Sequence, residues 1–155
     1  DAVGMLTSRD IGTFRLAMAE VDGITAACLA TVGLSNAEAV GRRRPYHTAD
    51  YGTINTCTAI DAALSEPAQL EALAITVPAR TAAVMALDLP LDTGTATGTG
   101  TDCCALACDP GAGKYAGLHT AIGEAIGAAT RRAVADAGAD WLIWRDAELA
   151  RRSPR

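Results

Sequence analysis

The stretch Thr93 to Asp102 reads TGTATGTGTD, and it leads directly into CCALAC, Cys103 to Cys108. Its glycines allow positive φ and a close approach of a ligand to the main chain, and its threonine hydroxyls can hydrogen-bond that ligand. The apolar run that follows is typical of a short buried strand. The stretch therefore predicts a ligand-handling loop at the entrance of a strand, with a plain Gly/Thr-rich surface loop as the alternative.

Other stretches also have the pattern of strands. Ile24 to Val32 (ITAACLATV) is a continuous apolar run between Gly23 and Gly33, which is typical of a strand buried on both faces. Thr53 to Ile60 (TINTCTAI) is rich in β-branched residues and is predicted to be a second strand. A further short strand is indicated at Ala2 to Leu6.

The remaining segments favour helices. They are predicted from Thr7 or Ser8 to about Glu20, from Ser65 to Leu87 with a break near Pro78, and from Leu118 to Ala137. Gly138 should end the third helix, which leaves residues 139–155 as a peripheral C-terminal helix and a basic tail. Buried strands that alternate with amphipathic helices predict an α/β (or α+β) fold, a single-domain layered sandwich over residues 1–155.

Composition excludes several classes of function. The chain has 155 residues, half of them hydrophobic, and a formal net charge of −5. It has no basic patch with interleaved aromatics and no apolar run long enough for a bilayer, so neither nucleic-acid binding nor membrane insertion is expected. Five cysteines without a framework spacing or a C-x-x-C pair indicate reduced thiols in a cytoplasmic protein, with no metal site. The oligomeric state stays open, a homo-oligomer included.

Two asparagines accompany the apolar strands. Asn36 follows the first strand just after Gly33, and Asn55 lies inside the second strand. A buried amide must find hydrogen-bond partners, so each asparagine belongs either to a core network or to a ligand contact.

Asp102, His119 and Glu124 are the candidate acid–base residues. Asp102 closes the glycine-rich loop, where a carboxylate can orient a base, activate water or simply cap the turn. His119 opens the long helix, whose dipole favours a neutral imidazole, and Glu124 follows five residues later. We expect Asp102 and His119 to share one cleft. The alternatives are a structural histidine and a solvated surface glutamate.

Three further side chains could take part in chemistry. Cys103 and Cys104 could supply a nucleophile, but free cysteines in an apolar run are typical of an inert core. His47 lies in the polar stretch 41–52, where a solvated side chain is the ordinary interpretation and a functional role the alternative.

Several of these motifs together resemble one family. GTATGTGTDC (Gly94–Cys103), followed by YAGLHTAIGEAIGAA (Tyr115–Ala129), is similar to the adenosylcobinamide amidohydrolases of corrinoid salvage. VGLSNA (Val32–Ala37), GTIN (Gly52–Asn55) and RTAAV (Arg80–Val84) resemble the same family in order and separation. The resemblance covers roughly residues 3 to 138.

This resemblance implies hydrolysis of the amide that joins a propionyl side chain of the corrin ring to aminopropanol in adenosylcobinamide. The products would be adenosylcobyric acid and 1-amino-2-propanol. The corrinoid is then the substrate and the expected small-molecule partner, so no cofactor is expected. The positions that match the family are Asn36, Asn55, the run Gly98-Thr99-Gly100-Thr101-Asp102, His119 and Glu124.

The chain departs from the family pattern in two places. An acidic residue is expected shortly before Arg80, where this chain has Pro78. Family members usually carry further sequence before the position of Asp1, so we expect an N-terminal segment to be missing.

The resemblance and the residue chemistry together give a set of hypothetical roles. Asp102 or His119 would activate water, and Glu124 or His119 would protonate the leaving amine. N–H groups of Gly98 to Thr101 would hold the oxyanion. Asn36 and Asn55 would bind corrin amides or the scissile carbonyl group. The alternative function is a non-catalytic corrinoid-binding or carrier module.

Overall fold

The computed structural model describes residues 2–45 and 51–152, which form a mixed sheet covered by helices on one face. The elements in chain order are a 3₁₀ turn at Ile11–Thr13, β1 (Arg15–Val21), β2 (Ile24–Val32), β3 (Ala37–Glu38), β4 (Ile54–Leu64), α1 (Glu66–Ala86), β5 (Pro90–Leu91), β6 (Gly94–Thr95), β7 (Gly98–Thr99), β8 (Cys103–Pro110) and α2 (Ala121–Arg152). The predicted α/β layered sandwich is confirmed.

The main sheet has the strand order β1-β2-β4-β8. β1, β2 and β4 are antiparallel neighbours, and β8 pairs in parallel with β4. β3 pairs with β7, and β5 pairs with β6, in two small ribbons that hold the glycine-rich stretch. The parallel β4–β8 pair matters most for function, because it brings the residues just before both strands to one edge of the sheet.

Both helices cover the same face of the sheet. α2 packs on β1, β2 and β4, and α1 packs on β8, β4 and α2. Thr58 of β4 faces α2, where its hydroxyl lies 3.1 Å from that of Thr130. Since successive side chains of a strand point to opposite faces, alternate residues of the sheet point away from the helices. Burial follows this alternation from Thr25 to Ala30, so the prediction that Ile24–Val32 is buried on both faces is wrong except at its end, where Thr31 and Val32 are both buried.

The N-terminal predictions need correction. Residues 2–6 form no strand, and the predicted helix from Thr7 or Ser8 to Glu20 is a 3₁₀ turn at Ile11–Thr13 followed by the edge strand β1. Asp22 and Gly23 both adopt positive φ in the turn between β1 and β2. This tight hairpin lets Arg15–Val21 pair along its whole length with β2, and the pairing overrides the helix propensity of its Leu, Ala, Met and Glu residues.

Both predicted helix interruptions are also wrong. α1 continues through Pro78, which is exposed, so water can reach the carbonyl that loses its donor there. α2 continues through Gly138 to Arg152, so residues 139–152 are not a separate helix, and Trp141 is buried while most residues after it are exposed. Gly138 serves close packing, because an added Cβ would meet Leu87 at the end of α1.

Candidate functional site

Three of the glycine-containing motifs meet at the end of the sheet where strands β4 and β8 begin. We call this end of the strands the loop end. An added Cβ at Gly52 would collide with Oδ1 of Asn36, which shows how closely the segment before β4 packs on the segment after β2. The hydroxyl of Thr101 donates to the Gly52 carbonyl at 2.8 Å, and that of Thr53 donates to the Thr101 carbonyl at 2.7 Å. The loop end therefore joins VGLSNA, GTIN and GTGTD in one hydrogen-bonded unit.

Asp102 is the centre of that unit. Its Oδ1 accepts from the Ile54 N–H at 3.0 Å and from the Thr99 hydroxyl at 2.5 Å, and its Oδ2 accepts from the Thr99 N–H at 2.9 Å. Arg80 of α1 adds an ion pair at 3.2 Å to Oδ2. The Asp102 side chain is only 6% exposed, and these four contacts fix the carboxylate against the start of β4.

Arg80 and Gly98 have roles that the residue pattern does not disclose. An added Cβ at Gly98 would lie 2.5 Å from Oδ2 of Asp102, so only glycine lets the loop wrap this carboxylate. The RTAAV motif points to Arg80 but not to its partner, which lies 22 positions later in the chain. The carboxylate and the guanidinium become neighbours only because α1 packs beside β8.

A cavity of about 560 Å³ opens at the loop end, and we call it the loop cavity. Its wall includes Asn36, Thr53, Thr101, Cys103 and the N-terminal segment 4–8. Oδ1 of Asn36 is buried and has no hydrogen-bond partner. Asn36 with this unpaired oxygen, an exposed thiol and several hydroxyl groups thus border the cavity.

A second cavity, of about 490 Å³, lies next to it on the uncovered face of the sheet, and we call it the sheet cavity. Leu29, Thr31 and Asn55 contribute from the strands, and Ile11 and Phe14 contribute from the segment before β1. Met5 and Thr7 line both cavities. Asn55 donates its Nδ2 to the Leu6 carbonyl at 2.7 Å and so fixes the segment that separates the two spaces.

His119 and Glu124 lie at the opposite edge of the sheet, which we call the far end. β8 separates Asp102 from His119, and eight strand residues span about 23 Å. Glu71, near the start of α1, accepts from the Ala116 N–H at 2.6 Å and lies beside Gly117 together with the His119 ring. His119 and Glu124 are exposed there. The expectation that Asp102 and His119 share one cleft is therefore wrong.

The glycine-rich run gives shape to the loop cavity but does not present its N–H groups to it. The Thr99 N–H is bonded to Asp102, and the Thr101 N–H lies 3.3 Å from the Thr99 hydroxyl. Gly100 faces a separate surface pocket beside Arg42 and Arg43. An oxyanion site made of the N–H groups of Thr99 and Thr101 would require this loop to rearrange.

The five cysteines divide between the two faces of the sheet. All five are free, and Cys103 is exposed in the loop cavity, which an inert core residue would not be. Cys28 is buried under α2, and this burial raises the pKa of its thiol above the ordinary value. His47 lies outside the described residues. Within residues 2–45 and 51–152, no group of three or more His, Cys, Asp or Glu side chains is placed to hold a metal ion.

Fold and site together define a two-layer α/β protein with a ligand cavity at the loop end of its sheet. The family model described as adenosylcobinamide amidohydrolase (CbiZ) matches residues 1–146, so the chain belongs to this family. No curated protein and no solved structure matches the chain. Among the residues that the structure describes, neither helix is long and apolar enough to cross a membrane.

Proposed function

We propose that this protein hydrolyses the amide between the corrin propionyl side chain and aminopropanol in adenosylcobinamide, releasing 1-amino-2-propanol and leaving adenosylcobyric acid. Membership of the family supports the substrate class. The observation that carries the proposal is the unpaired Oδ1 of Asn36 in the wall of the loop cavity. A buried acceptor without a partner is unfavourable by about 1–3 kcal/mol, and an amide N–H or hydroxyl donor of the substrate arm would relieve it.

In this proposal the substrate arm lies in the loop cavity, and each motif has a distinct task. Asn36 and Asn55 bind N–H groups of the substrate, while Asp102 holds the run Gly98–Thr101 against the start of β4 through the contacts described above. A water molecule adds to the amide carbonyl, the C–N bond breaks, and the amine leaves with a proton. Cys103 is the alternative attacking group, because its thiol faces the same cavity. His119 and Glu124 lie too far away to act with Asp102 within one chain.

The direct test is mass spectrometry of adenosylcobinamide incubated with the protein. The expected result is conversion to adenosylcobyric acid with release of an equal amount of 1-amino-2-propanol. Unchanged adenosylcobinamide after long incubation with excess protein would contradict the proposal. A Cys103→Ala variant identifies the attacking group, with Cys108→Ala, on the helix-covered face of the same strand, as the matched control. Attack by water predicts a change of only a few-fold, and attack by the thiol predicts loss of turnover.

A second candidate function is a non-catalytic corrinoid carrier. One observation favours it, namely that Asp102 is fully bonded to the protein while His119 is at the far end, so the described wall of the loop cavity contains no acid–base pair. A titration with cobinamide, followed in the visible spectrum beside an assay for free amine, separates the two functions. Binding without amine release would support the carrier.

A further inference from the structure

The face of the sheet that the helices leave uncovered is strongly apolar. Leu16 and Met18 of β1 are 59% and 61% exposed there, and Leu29 of β2 is 40% exposed. Strand alternation and register place Cys57 beside Leu29 and continue the surface with Ala105 of β8. The middle of the sheet thus presents an apolar surface on this face, with Glu20, Thr25 and Asp61 beyond it at the far end. A face in contact with water is usually more polar.

One polar row crosses this surface at its loop end. Thr31 pairs with Asn55, and Asn55 pairs with Cys103, so their side chains lie side by side on three neighbouring strands. Thr31 is 8% exposed and Asn55 is 5% exposed. Oγ1 of Thr31 and Oδ1 of Asn55 are buried and have no partner, and both residues line the sheet cavity. Because Nδ2 of Asn55 is bonded to Leu6, its oxygen is left for another donor.

Two buried acceptors without partners, beside an apolar floor, call for a particular kind of ligand. It must be flat and apolar over most of its area, and it must carry N–H donors at its edge. A corrin macrocycle with primary amides around its rim has these features. Met5 and Thr7 line both cavities, so the two spaces adjoin across this segment, and a ligand that occupies both must pass beside it.

We infer that the sheet cavity binds the corrin ring itself, with the ring against Leu29 and its rim amides on Thr31 and Asn55, while the loop cavity takes the aminopropanol arm. This inference rests on the proposed function for the identity of the ligand. It divides the substrate between two adjacent spaces, and that division has consequences for binding that do not depend on turnover.

The test uses two corrinoids that share the ring and differ in the arm. Adenosylcobyric acid has no aminopropanol, whereas adenosylcobinamide has it. In visible-spectrum titrations, Leu29→Lys is expected to weaken binding of both corrinoids by at least about tenfold, because a charge then faces the apolar ring. Asn36→Ala is expected to weaken adenosylcobinamide alone. Leu70→Lys is the matched control, since Leu70 is 64% exposed on α1 in the other layer.

A second measurement needs no substitution on the binding surface. Bound adenosylcobyric acid is expected to protect Cys57 from thiol alkylation, while protection of Cys103, in the loop cavity, is expected only with adenosylcobinamide. Cys108, on the helix-covered face, is the internal reference. A third measurement does change the surface. Thr31→Val keeps the shape of the side chain and removes its hydroxyl, and it should weaken binding of both corrinoids several-fold.

The outcomes separate this inference from the proposed function. Normal corrinoid binding by Leu29→Lys with no protection of Cys57 would overturn the ring site, even if adenosylcobinamide is hydrolysed. Binding and protection without hydrolysis would uphold the ring site and contradict the hydrolase. Concentration-dependent dimerisation that is abolished by Leu29→Lys, without corrinoid protection of Cys57, would assign the surface to a second copy of the chain and overturn the inference.

Discussion

The loop end and the far end of the sheet use similar residues for different purposes. Each has a carboxylate that accepts hydrogen bonds from the backbone. Asp102 at the loop end accepts from two N–H groups, and Glu71 at the far end accepts from one. Each also has a glycine whose added Cβ would strike backbone, Gly52 and Gly123. Only the loop end adjoins the two cavities with unpaired buried acceptors.

This difference shows that dense glycine motifs do not by themselves locate a binding site. At the far end, Gly123 lets the start of α2 lie against the Gly117 carbonyl, which accepts a hydrogen bond from the Thr120 hydroxyl. At the loop end, comparable packing leaves Oδ1 of Asn36 and Asn55 without partners. Unsatisfied hydrogen-bonding capacity, more than motif composition, distinguishes the two ends.

The largest effect is expected at Asp102. Asp102→Ala removes four partners of one carboxylate and leaves the guanidinium of Arg80, whose side chain is 14% exposed, without its charge partner. Breaking a buried ion pair in this way is typically destabilising by about 3–5 kcal/mol. Urea denaturation should show this loss in the free energy of unfolding. Asp109→Ala, at the exposed end of β8, is the control and should change it by less than about 0.5 kcal/mol.

The double variant Asp102→Ala/Arg80→Met sharpens this prediction. Removing the orphaned guanidinium as well should recover part of the lost stability, because the uncompensated buried charge is the main penalty. Equal stability of Asp102→Ala and the wild type would mean that Asp102 is not a structural carboxylate, and it would return that residue to the role of a free base.

The same substitution, glycine to alanine, can be made at each end to compare their effects on stability and binding. Gly52→Ala and Gly123→Ala each place a methyl group against backbone atoms, and overpacking of this kind typically destabilises by about 1–3 kcal/mol. Both should lower the melting temperature, but only Gly52→Ala displaces Asn36 and should weaken binding of adenosylcobinamide by about tenfold or more. Equal losses of binding in the two variants, measured by titration of folded protein, would remove the distinction between the ends.

Several elements can be predicted from the sequence because their signals are local. β2 begins and ends at the predicted Ile24 and Val32, since a continuous apolar run lies between two glycines. α1 begins at Glu66, where a serine, an acid and an early proline coincide. The error at β1 also has a local cause. Alanines at positions 17 and 19 fit either face, so the apolar residues do not show whether they repeat every two residues, as in a strand, or every 3.6 residues, as in a helix.

The site can be predicted only in part. The motifs predict Asn36, Asn55 and the Gly98–Asp102 run as site residues, and the fold brings them together. The separation of His119 from Asp102 follows in principle from the sequence, because a predicted strand at Cys103–Cys108 lies between them. The ion pair of Asp102 with Arg80 and the unpaired hydroxyl of Thr31 depend on packing between elements, which no local pattern encodes.

The smallest effect is expected at His119. The side chain is exposed at the far end and borders neither of the two cavities, so His119→Ala should change the free energy of unfolding by less than about 0.5 kcal/mol. For the same reason the catalytic efficiency toward adenosylcobinamide should stay within about twofold of the wild type, because no transition-state contact is removed. Glu124→Ala, one turn along α2, should behave in the same way.

A turnover rate lowered by about a hundredfold or more, the usual range for a removed acid–base group, would require His119 to reach the loop cavity of a second subunit. Because the two ends are far apart within one chain, that result would indicate an active site formed by residues from two chains. Mixing His119→Ala with Asn36→Ala protein would then restore activity, whereas a purely structural loss in either variant would not be complemented.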